Sequence, residues 1–264
     1  MSLAARIEGV GLVGPGLASW GVARAILAER EPFAMRPTVL PSPDALPLTE
    51  RRRAGKCVRL SLAAGLEAAA AAGRPARDLV AIFASSTGDG DNLHAICEAL
   101  ASDDRLISPT RFHNSVHNAP AGYWGIATGA MHSADSIAAF DASFGAGLLE
   151  AMGRLAQCPE QPVLLVAYDA PYPQPLLAKR PVPDSFALAL LLSADGNGAN
   201  GVPIAVDTSH EAPHLLDNAP LEALRRGIPA ARALPLLVQL ARAAPGRAVI
   251  EYLDGLSLAV DIGR

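Results

Sequence analysis

One short segment of the sequence combines residue types that suit nucleophilic chemistry. Residues 140–148 read Phe-Asp-Ala-Ser-Phe-Gly-Ala-Gly-Leu, which predicts a strand, a tight turn and a helix in succession. Such a turn presents one side chain beside free backbone N–H groups that stabilise an oxyanion. Ser143 and Gly145 match half of the G-x-S-x-G pattern of hydrolases, but Asp141 replaces the first glycine. Ser143 is therefore either a nucleophile or a cap of the following helix.

Aromatic residues and histidines are concentrated around this segment. Residues 112–144 hold five of the twelve aromatic residues and three of the six histidines, which indicates a specific site or else a locally aromatic core. His113 and His117 are four residues apart, a spacing that on a helix places two metal ligands on one face. Pro109 and the neighbouring asparagines favour a loop instead, and no third ligand is evident. We therefore expect no metal site.

A glycine pattern near the N-terminus formally matches a dinucleotide-binding motif. Residues 9–14 read Gly-Val-Gly-Leu-Val-Gly, as in G-x-G-x-x-G. Too little strand precedes the pattern, and Pro15 and Gly16 interrupt the start of the helix that should follow. No cofactor is therefore expected.

The only dense basic cluster comprises Arg51, Arg52, Arg53 and Lys56, with Arg59 one turn later. One interpretation is a solvated helix face. The other is a docking surface for an acidic partner, because positive charge near a helix N-terminus opposes the helix dipole unless something compensates it.

Composition restricts the class of protein. The chain has 264 residues, of which 50% are hydrophobic and 18% are charged, so it has enough apolar residues to form a core. The net charge of −4 gives no electrostatic basis for nucleic-acid binding, and no apolar run approaches the ~20 residues of a membrane span. Cys57, Cys97 and Cys158 are odd in number and far apart, and no secretory signal is evident. We expect a cytoplasmic protein.

The elements needed to position these residues follow from the hydrophobic pattern. Apolar runs alternate with helical stretches, which predicts a layered α/β fold in one domain, residues 1–264. Residues 32–48 are rich in proline and are expected to lie on the surface without regular structure. Strands are predicted over 9–13, 79–85, 136–140, 163–168, 185–192, 204–207, 248–253 and 256–262. Helices are predicted over 17–27, 49–72, 91–101 and 145–156. Two further helices are predicted, one that begins at 118 and one that ends at 243.

Polar residues and glycines mark the ends of several elements. Thr49, Asp91 and Asn118 are predicted as N-caps of their helices. The Gly-Asn-Gly-Ala-Asn-Gly stretch at 196–201 predicts a hairpin loop, and Asp254-Gly255 predicts a second hairpin that adds two antiparallel strands to the sheet. Residues 256–262 are expected to alternate between the two faces of that sheet.

The segment around Ser143 resembles the β-ketoacyl synthase branch of the thiolase fold. Members of this branch carry the motif D-T-A-C-S-S-S-L on a strand-to-helix turn, and its cysteine is the nucleophile that accepts the acyl group. Residues 141–148 match the motif in length, with Asp141 first and Leu148 last. The ungapped match puts Phe144 at the cysteine position and Ser143 one residue before it. Residues 107–122 are similar to the family segment that helps to build the acyl pocket and the dimer contact. Residues 84–88 are similar to the family's glycine-rich loop.

The resemblance implies a fold and a loss of activity. It implies a thiolase-like layered fold, essentially one thiolase half over residues 1–195, with a short C-terminal helix and β-hairpin extension over 196–264. The nucleophilic cysteine is absent, and His210 and His214 lack the sequence context of the family's second-half catalytic histidines. No condensing activity is expected, because Phe144 cannot form the covalent acyl intermediate. Its ring would fill or wall off the acyl tunnel instead.

Within this branch, the sequence is most similar to the truncated chain-length factors of aryl polyene (xanthomonadin-type) clusters. That resemblance implies a heterodimer with an active β-ketoacyl synthase and docking of an acyl carrier protein at Arg51, Arg52, Arg53 and Lys56. The acyl pocket and interface would include Phe112, His113, His117, Tyr123, Trp124 and Phe144.

Two alternatives remain open. One is a serine acyltransferase or thioesterase that uses Ser143 with a base from His113, His117 or His210, for which Asp169 or Asp207 followed by His210 gives the chain order of a hydrolase. The other is a homodimeric protein that binds acyl chains.

Overall fold

An eight-stranded sheet with helices on both faces forms the fold. The computed structural model describes residues 2–194 and 201–263. The strands are β1 Leu3–Val13, β2 Val80–Ala84, β3 Ala134–Ile137, β4 Val163–Asp169, β5 Phe186–Ser193, β6 Val202–Ser209, β7 Gly246–Leu253 and β8 Leu256–Ile262. The helices are α1 Trp20–Leu27, α2 Leu48–Arg51, α3 Lys56–Ala71, α4 Gly90–Ala101, α5 Pro109–Asn114, α6 Ala119–Thr128, α7 Ser143–Gln157, α8 Leu176–Lys179, α9 Ala219–Gly227 and α10 Leu234–Arg242.

The strand order is β3-β2-β4-β5-β1-β6-β8-β7. Strand β2 is parallel to both β3 and β4, and the other neighbouring pairs are antiparallel. The carboxyl ends of β2, β3 and β4 therefore lie at the same edge, which is where α/β sheets commonly place their functional loops. The predicted layered α/β architecture and the added terminal hairpin are confirmed.

Hydrophobic residues form two core clusters, one on each face of the sheet. Helices α1, α7, α9 and α10 contribute to the first cluster, and α3 and α6 to the second. Every residue of β2, β4 and β5 is buried, as expected of strands covered on both faces. This is why these strands read in the sequence as continuous apolar runs.

The glycines near the N-terminus serve helix packing. A Cβ atom on Gly9 would lie 2.1 Å from the carbonyl oxygen of Ala68, and one on Gly11 would lie 1.9 Å from that of Ala64. Alternate residues of a strand share a face, so both glycines allow the backbone of α3 to approach β1 closely. This contact gives the glycine pattern a structural explanation.

The helix predicted from Thr49 to Ala72 is wrong, because the chain breaks it in two. Thr49 lies inside the four-residue α2, whose Arg51 side chain turns back and donates to the carbonyl of Leu46 (2.7 Å). Gly55 has an extended backbone and immediately precedes α3. A Cβ atom added to Gly55 would lie 2.4 Å from a carboxylate oxygen of Asp89. The close approach of Asp89 favours the break.

Four local predictions around the functional window also differ. Residues 109–114 form a short helix rather than a loop, since a proline is well tolerated in a first helical turn. Asp89 rather than Asp91 caps α4, accepting a bond from the Asn92 amide (3.1 Å). Asn118 precedes α6 without a side-chain cap bond, and β3 ends at Ile137, earlier than predicted.

The two predicted hairpins have different outcomes. Most of the 196–201 loop lies outside the described residues, but its flanking strands β5 and β6 are separated by β1 and do not form a hairpin. Strands β7 and β8 pair around Asp254 and Gly255 as predicted. Side chains alternate along β8 as expected, with Leu258, Val260 and Ile262 in the first core cluster, but the opposite face is covered as well, since Ser257 and Ala259 are also buried. Among residues 2–194 and 201–263, no helix combines the length and apolar character needed to cross a membrane.

Candidate functional site

A strained turn connects β3 to α7. Residues Phe140–Ala142 form one 3-10 turn, in which Phe140 has a φ of 52°, a left-handed conformation that is uncommon for a residue with a side chain. The Ser143 hydroxyl accepts a bond from the Ala139 amide (3.0 Å) and donates to the Phe140 carbonyl (2.7 Å). Ser143 therefore closes the turn from inside.

Charged side chains hold the outer side of this turn. The guanidinium of Arg180 lies over the Phe140 ring, 3.7 Å from its centroid. Asp141 accepts hydrogen bonds from Arg180 (2.5 Å) and from Arg232 (3.2 Å), and Arg232 also pairs with Glu251 (3.4 Å). Because Glu251 belongs to β7, the network connects the turn after β3 to the opposite edge strand of the sheet.

Ser143 lacks the partners of a catalytic serine. Its side chain is buried, and its hydroxyl hydrogen is directed to the Phe140 carbonyl rather than to a histidine. The Nδ1 atom of His210 is 2.8 Å from the Gly255 carbonyl, and the Nε2 atom of His117 is 3.2 Å from the Ser85 carbonyl. The structure therefore gives no support to a serine acyltransferase or thioesterase.

Several predicted site residues lie on opposite faces of the sheet. Phe144 is buried in the core cluster that includes α7, whereas Tyr123 and Trp124 are buried in the cluster that includes α3. Burial also raises the pKa of Tyr123. The Trp124 ring packs against Phe83 in an edge-to-face arrangement, with centroids 6.3 Å apart. The aromatic crowding of the sequence thus combines two separate core regions.

Phe112 and His113 lie on the surface helix α5. Phe112 is 65% exposed, and the ring of His113 contacts that of Tyr123 at a centroid distance of 6.3 Å. His117 follows the end of α5, so it does not share one helix face with His113. No group of three or more His, Cys, Asp or Glu side chains within the described ranges could hold a metal ion.

A buried polar cluster joins the carboxyl ends of β2 and β4 and is centred on Asp169, which the sequence offers only as an acid for the serine-enzyme alternative. Asp169 accepts bonds from the Ser86 amide (2.9 Å), the Ser86 hydroxyl (2.7 Å) and the Ala230 amide (2.8 Å). Burial raises its pKa even though these donors lower it. Tyr172 accepts from Thr87 (2.8 Å). The glycine-rich loop at 84–88, which the sequence singles out, supplies the Ser86 donors of this cluster.

The basic cluster before and at the start of α3 is largely paired. Arg51 bonds to Asp44 (3.1 Å), Arg53 to Glu50 (3.1 Å) and Lys56 to Asp91 (2.7 Å). Arg52 is exposed. The acidic partners reduce the positive potential that the sequence alone predicts.

A half-open cavity of about 590 Å³ adjoins the strained turn. Its lining includes Phe140 and Asp141 from the turn and Tyr252, Leu253 and Leu256 from the terminal hairpin. The cavity therefore lies where the end of β3 meets the C-terminal strands.

The parallel strands, the strand-to-helix turn and the two helical layers define a thiolase-like half. The chain belongs to the family of β-ketoacyl synthase N-terminal domains, which it matches over residues 27–227. No curated protein matches the chain by sequence.

Solved structures from natural-product biosynthesis share the fold. The ketosynthase ApeO in complex with its chain length factor ApeC, from Xenorhabdus doucetiae, contains a similar chain with a TM-score of 0.72, 24% identity and coverage of 98% of this chain and 99% of that one. The ishigamide ketosynthase/chain length factor contains a similar chain with a TM-score of 0.73 and 13% identity, and the match covers 98% of this chain and 99% of that one. AntDE:AntF is a type II polyketide acyl-carrier protein in complex with its ketosynthase. It contains a similar chain with a TM-score of 0.74 and 11% identity, and the match covers 100% of this chain and 99% of that one. These likenesses establish the ketosynthase-type, thiolase-like half-fold predicted from the sequence.

Proposed function

We propose that this chain is a chain length factor: a ketosynthase-like subunit without condensing activity that pairs with an active β-ketoacyl synthase in aryl polyene or other polyketide-type biosynthesis. The observation that carries the proposal is the turn between β3 and α7, which has the family's strand-to-helix form but no thiol. The three cysteines of the sequence are Cys57, Cys97 and Cys158, and all lie outside that turn. Without a nucleophile, the family's covalent acyl step cannot occur. A cytoplasmic location accords with this role.

The edge strand β3 supports pairing with a second subunit. It bonds to β2 on one side, and its other side has no strand partner among the described residues. The carbonyls of Ser133 and Ile137 accept bonds from the β2 side. Since alternate residues of a parallel strand bond to the same neighbour, Ala134 and Ser136 direct their backbone groups outward. An unpaired edge of this kind is a template for another chain.

Exposed apolar side chains also lie near the start of β3 and on helices α4 and α5. Met131, three residues before β3, is 95% exposed. Helix α4 packs chiefly against α5, and Ile96 is its only buried residue among those described. The two helices and their flanking loops expose large apolar side chains, which are Leu93, Leu100, Leu106, Phe112 and Val116. Because exposed apolar patches commonly mark protein interfaces, we assign these side chains to the contact with the partner.

The same surface is suited to shaping a partner's acyl pocket. Phe112 is the large aromatic side chain that α5 presents outward, so we assign it the direct contact with the partner or its acyl chain. His113 and His117 border this surface. Tyr123 and Trp124 support α6 from the core, and Phe144 supports the turn from the other face of the sheet. The length of the product would depend on how far these groups close the partner's pocket.

Carrier-protein docking is the further partner interaction that we propose. Acyl carrier proteins are acidic, so Arg52 and the paired residues Arg51, Arg53 and Lys56 would provide a docking surface beside α5. The Asn114 side chain donates to the carbonyl of Arg53 (2.7 Å), which fixes the basic segment relative to the helix that presents Phe112.

The proposal is tested by co-expression with an active β-ketoacyl synthase from the genome that encodes this chain. The complex is purified through a tag on one subunit, and its native mass is measured. A stable one-to-one complex is expected. A folded chain that remains monomeric, or that forms a homodimer and ignores the ketosynthase, would contradict the proposal.

Single charge insertions identify the face that binds. Phe112→Asp and Met131→Asp should each weaken the complex by at least about tenfold, because a carboxylate would be desolvated in an apolar contact. Leu215→Asp is the matched control: Leu215 is 70% exposed but lies beside β7, at the opposite edge of the sheet. Binding that is unchanged by Phe112→Asp and Met131→Asp, or that is weakened more by Leu215→Asp, would show that another surface binds.

A further inference from the structure

We infer that Phe140, rather than Ser143 or Phe144, occupies the position at which active ketosynthases carry their nucleophile, and that its ring closes this position to acyl thioesters. The inference rests on the proposed function in one respect, namely that the turn derives from a ketosynthase-type nucleophile turn. It assigns to one residue the site of the lost activity.

Backbone conformation points to Phe140. In nucleophile turns between a strand and a helix, the reactive residue is the one held in a strained conformation, so that its side chain projects from the turn. Phe140 is the only residue from 138 to 144 with a positive φ. Ser143 has a φ of −57° and begins α7, and Phe144 lies in the first turn of that helix.

The exposure of the side chains independently favours Phe140 as the residue at the nucleophile position. Phe140 is 59% exposed, whereas Ser143 and Phe144 are each 1% exposed. The Phe140 side chain borders the cavity of about 590 Å³, together with Tyr252 and Leu253. A substrate that enters this cavity would meet the Phe140 ring and would not reach the other two side chains.

The ring is held in place rather than left mobile. One of its faces is covered by the Arg180 guanidinium at 3.7 Å, and Asp141 fixes Arg180 while also bonding to Arg232. A cation over an aromatic face is attractive, so these contacts favour one orientation of the ring. Because a phenyl group has no nucleophilic atom, an acyl thioester at this position cannot transfer its acyl group to the chain.

Phe140 lies before the position that the ungapped motif match assigns to the cysteine. That match put Phe144 at the cysteine position, four residues after Phe140. The turn begins earlier than the motif predicts, since Phe140–Ala142 already form its 3-10 segment. Asp141 therefore follows the reactive position instead of preceding it.

A cysteine placed at each candidate position tests the assignment on the isolated chain. Cys97→Ser and Cys158→Ser remove the two exposed native thiols, and the buried Cys57 is retained. Phe140→Cys, Ser143→Cys, Phe144→Cys and the control Leu253→Cys are then added singly and treated with hexanoyl-N-acetylcysteamine. In transfer, the cysteine thiolate attacks the thioester carbonyl, the bond to the N-acetylcysteamine sulfur breaks, and the released thiolate takes up the proton that the cysteine lost. Intact mass measures the acylated fraction.

The Phe140→Cys variant should be acylated at least about tenfold faster than Leu253→Cys, because backbone N–H groups at the start of α7 stabilise the oxyanion. Leu253 is a fair control, since it borders the same cavity and is 52% exposed. Ser143→Cys and Phe144→Cys should not react while folded. Faster acylation at 143 or 144, or equal rates at 140 and 253, would overturn the assignment.

A measurement on the native chain keeps the assignment falsifiable if Phe140→Cys does not fold. A fluorophosphonate should not label Ser143, because its hydroxyl donates to the Phe140 carbonyl and has no histidine partner. Labelling of the native chain at Ser143 would overturn the inference. Because neither assay contains a ketosynthase, failure to form the heterodimer would refute the proposed function alone.

Discussion

The ring of Tyr252 packs directly against Gly145. A Cβ atom on this glycine would lie 2.6 Å from the Tyr252 Cδ2 atom. Gly145 is in the first turn of α7, the helix that follows β3, and Tyr252 is in β7. Because β3 and β7 are the two edge strands, this contact joins the opposite edges of the sheet. The sheet therefore curls around α7, and small side chains at the start of this helix are required for that curvature.

Gly145→Ala should lower the free energy of unfolding by about 1 to 3 kcal/mol, because the added methyl group has no space beside the Tyr252 ring. Urea unfolding followed by circular dichroism measures the change. Gly153→Ala is the matched control in the same helix, since nothing lies within 4 Å of its added Cβ atom. It should raise stability by about 0.5 to 1 kcal/mol through helix propensity. Similar effects of both substitutions would contradict the packing argument.

The sequence predicted the buried strands well because their signal is local. Residues 163–168 and 185–192 are continuous apolar runs, and both became fully buried strands. The break between α2 and α3 could not be predicted in this way. It depends on a contact between Gly55 and Asp89, residues that are far apart in sequence.

The candidate site was predicted as a region but not in its geometry. The pattern at 140–148 correctly indicated a strand-to-helix turn. Which side chain projects from that turn depends on the φ of Phe140 and on the tertiary contacts of Arg180 and Arg232 with Asp141. None of these appears in a local motif. The buried, hydrogen-bonded role of Asp169 could not be predicted for the same reason, because the Ser86 and Ala230 groups that donate to it are distant in sequence.

The strained backbone of Phe140 leads to a stability prediction. Phe140→Gly should be more stable than Phe140→Ala by about 1 kcal/mol, because glycine adopts a positive φ without a Cβ penalty. This order reverses the usual one, in which alanine is the more stable residue in a helical turn. Urea unfolding of both variants measures the difference. An alanine variant at least as stable as the glycine variant would show that the turn is not strained.

The Glu222–Arg225 pair should make stability depend on pH. Hydrogen bonds from Arg225 lower the pKa of Glu222 below its usual value of 4.5, and the Arg225 side chain is buried. A lowered folded-state pKa stabilises the fold above the unfolded-state value, and this stabilisation is lost as the pH falls through the folded-state pKa. Glu222→Gln should therefore cost about 1 to 3 kcal/mol near pH 7 and progressively less below pH 4.5.

Urea unfolding of the native chain and the Glu222→Gln variant across this pH range measures the difference. Glu29→Gln is the control, because Glu29 pairs with Arg242 at 3.0 Å but is largely exposed. It should change stability by about 0.5 kcal/mol or less at every pH. A cost of Glu222→Gln that does not change with pH would show that the pair acts through packing alone.

The outward backbone groups of β3 allow the edge-pairing model to be tested without altering the core. Ala134→Pro removes an N–H group that points away from β2, and proline is tolerated at the first residue of a strand. Monomer stability should change little, whereas the dissociation constant of the ketosynthase complex should rise at least about tenfold, because one interchain hydrogen bond is lost and the ring prevents close approach.

Ala134→Ser is the control, since it keeps the N–H group at this exposed position. Thermal unfolding of the isolated chain and titration with the ketosynthase separate the two effects. If the proline variant bound as tightly as the serine variant, β3 would not be the paired edge, and the interface would consist of the apolar helical surface around Phe112 alone.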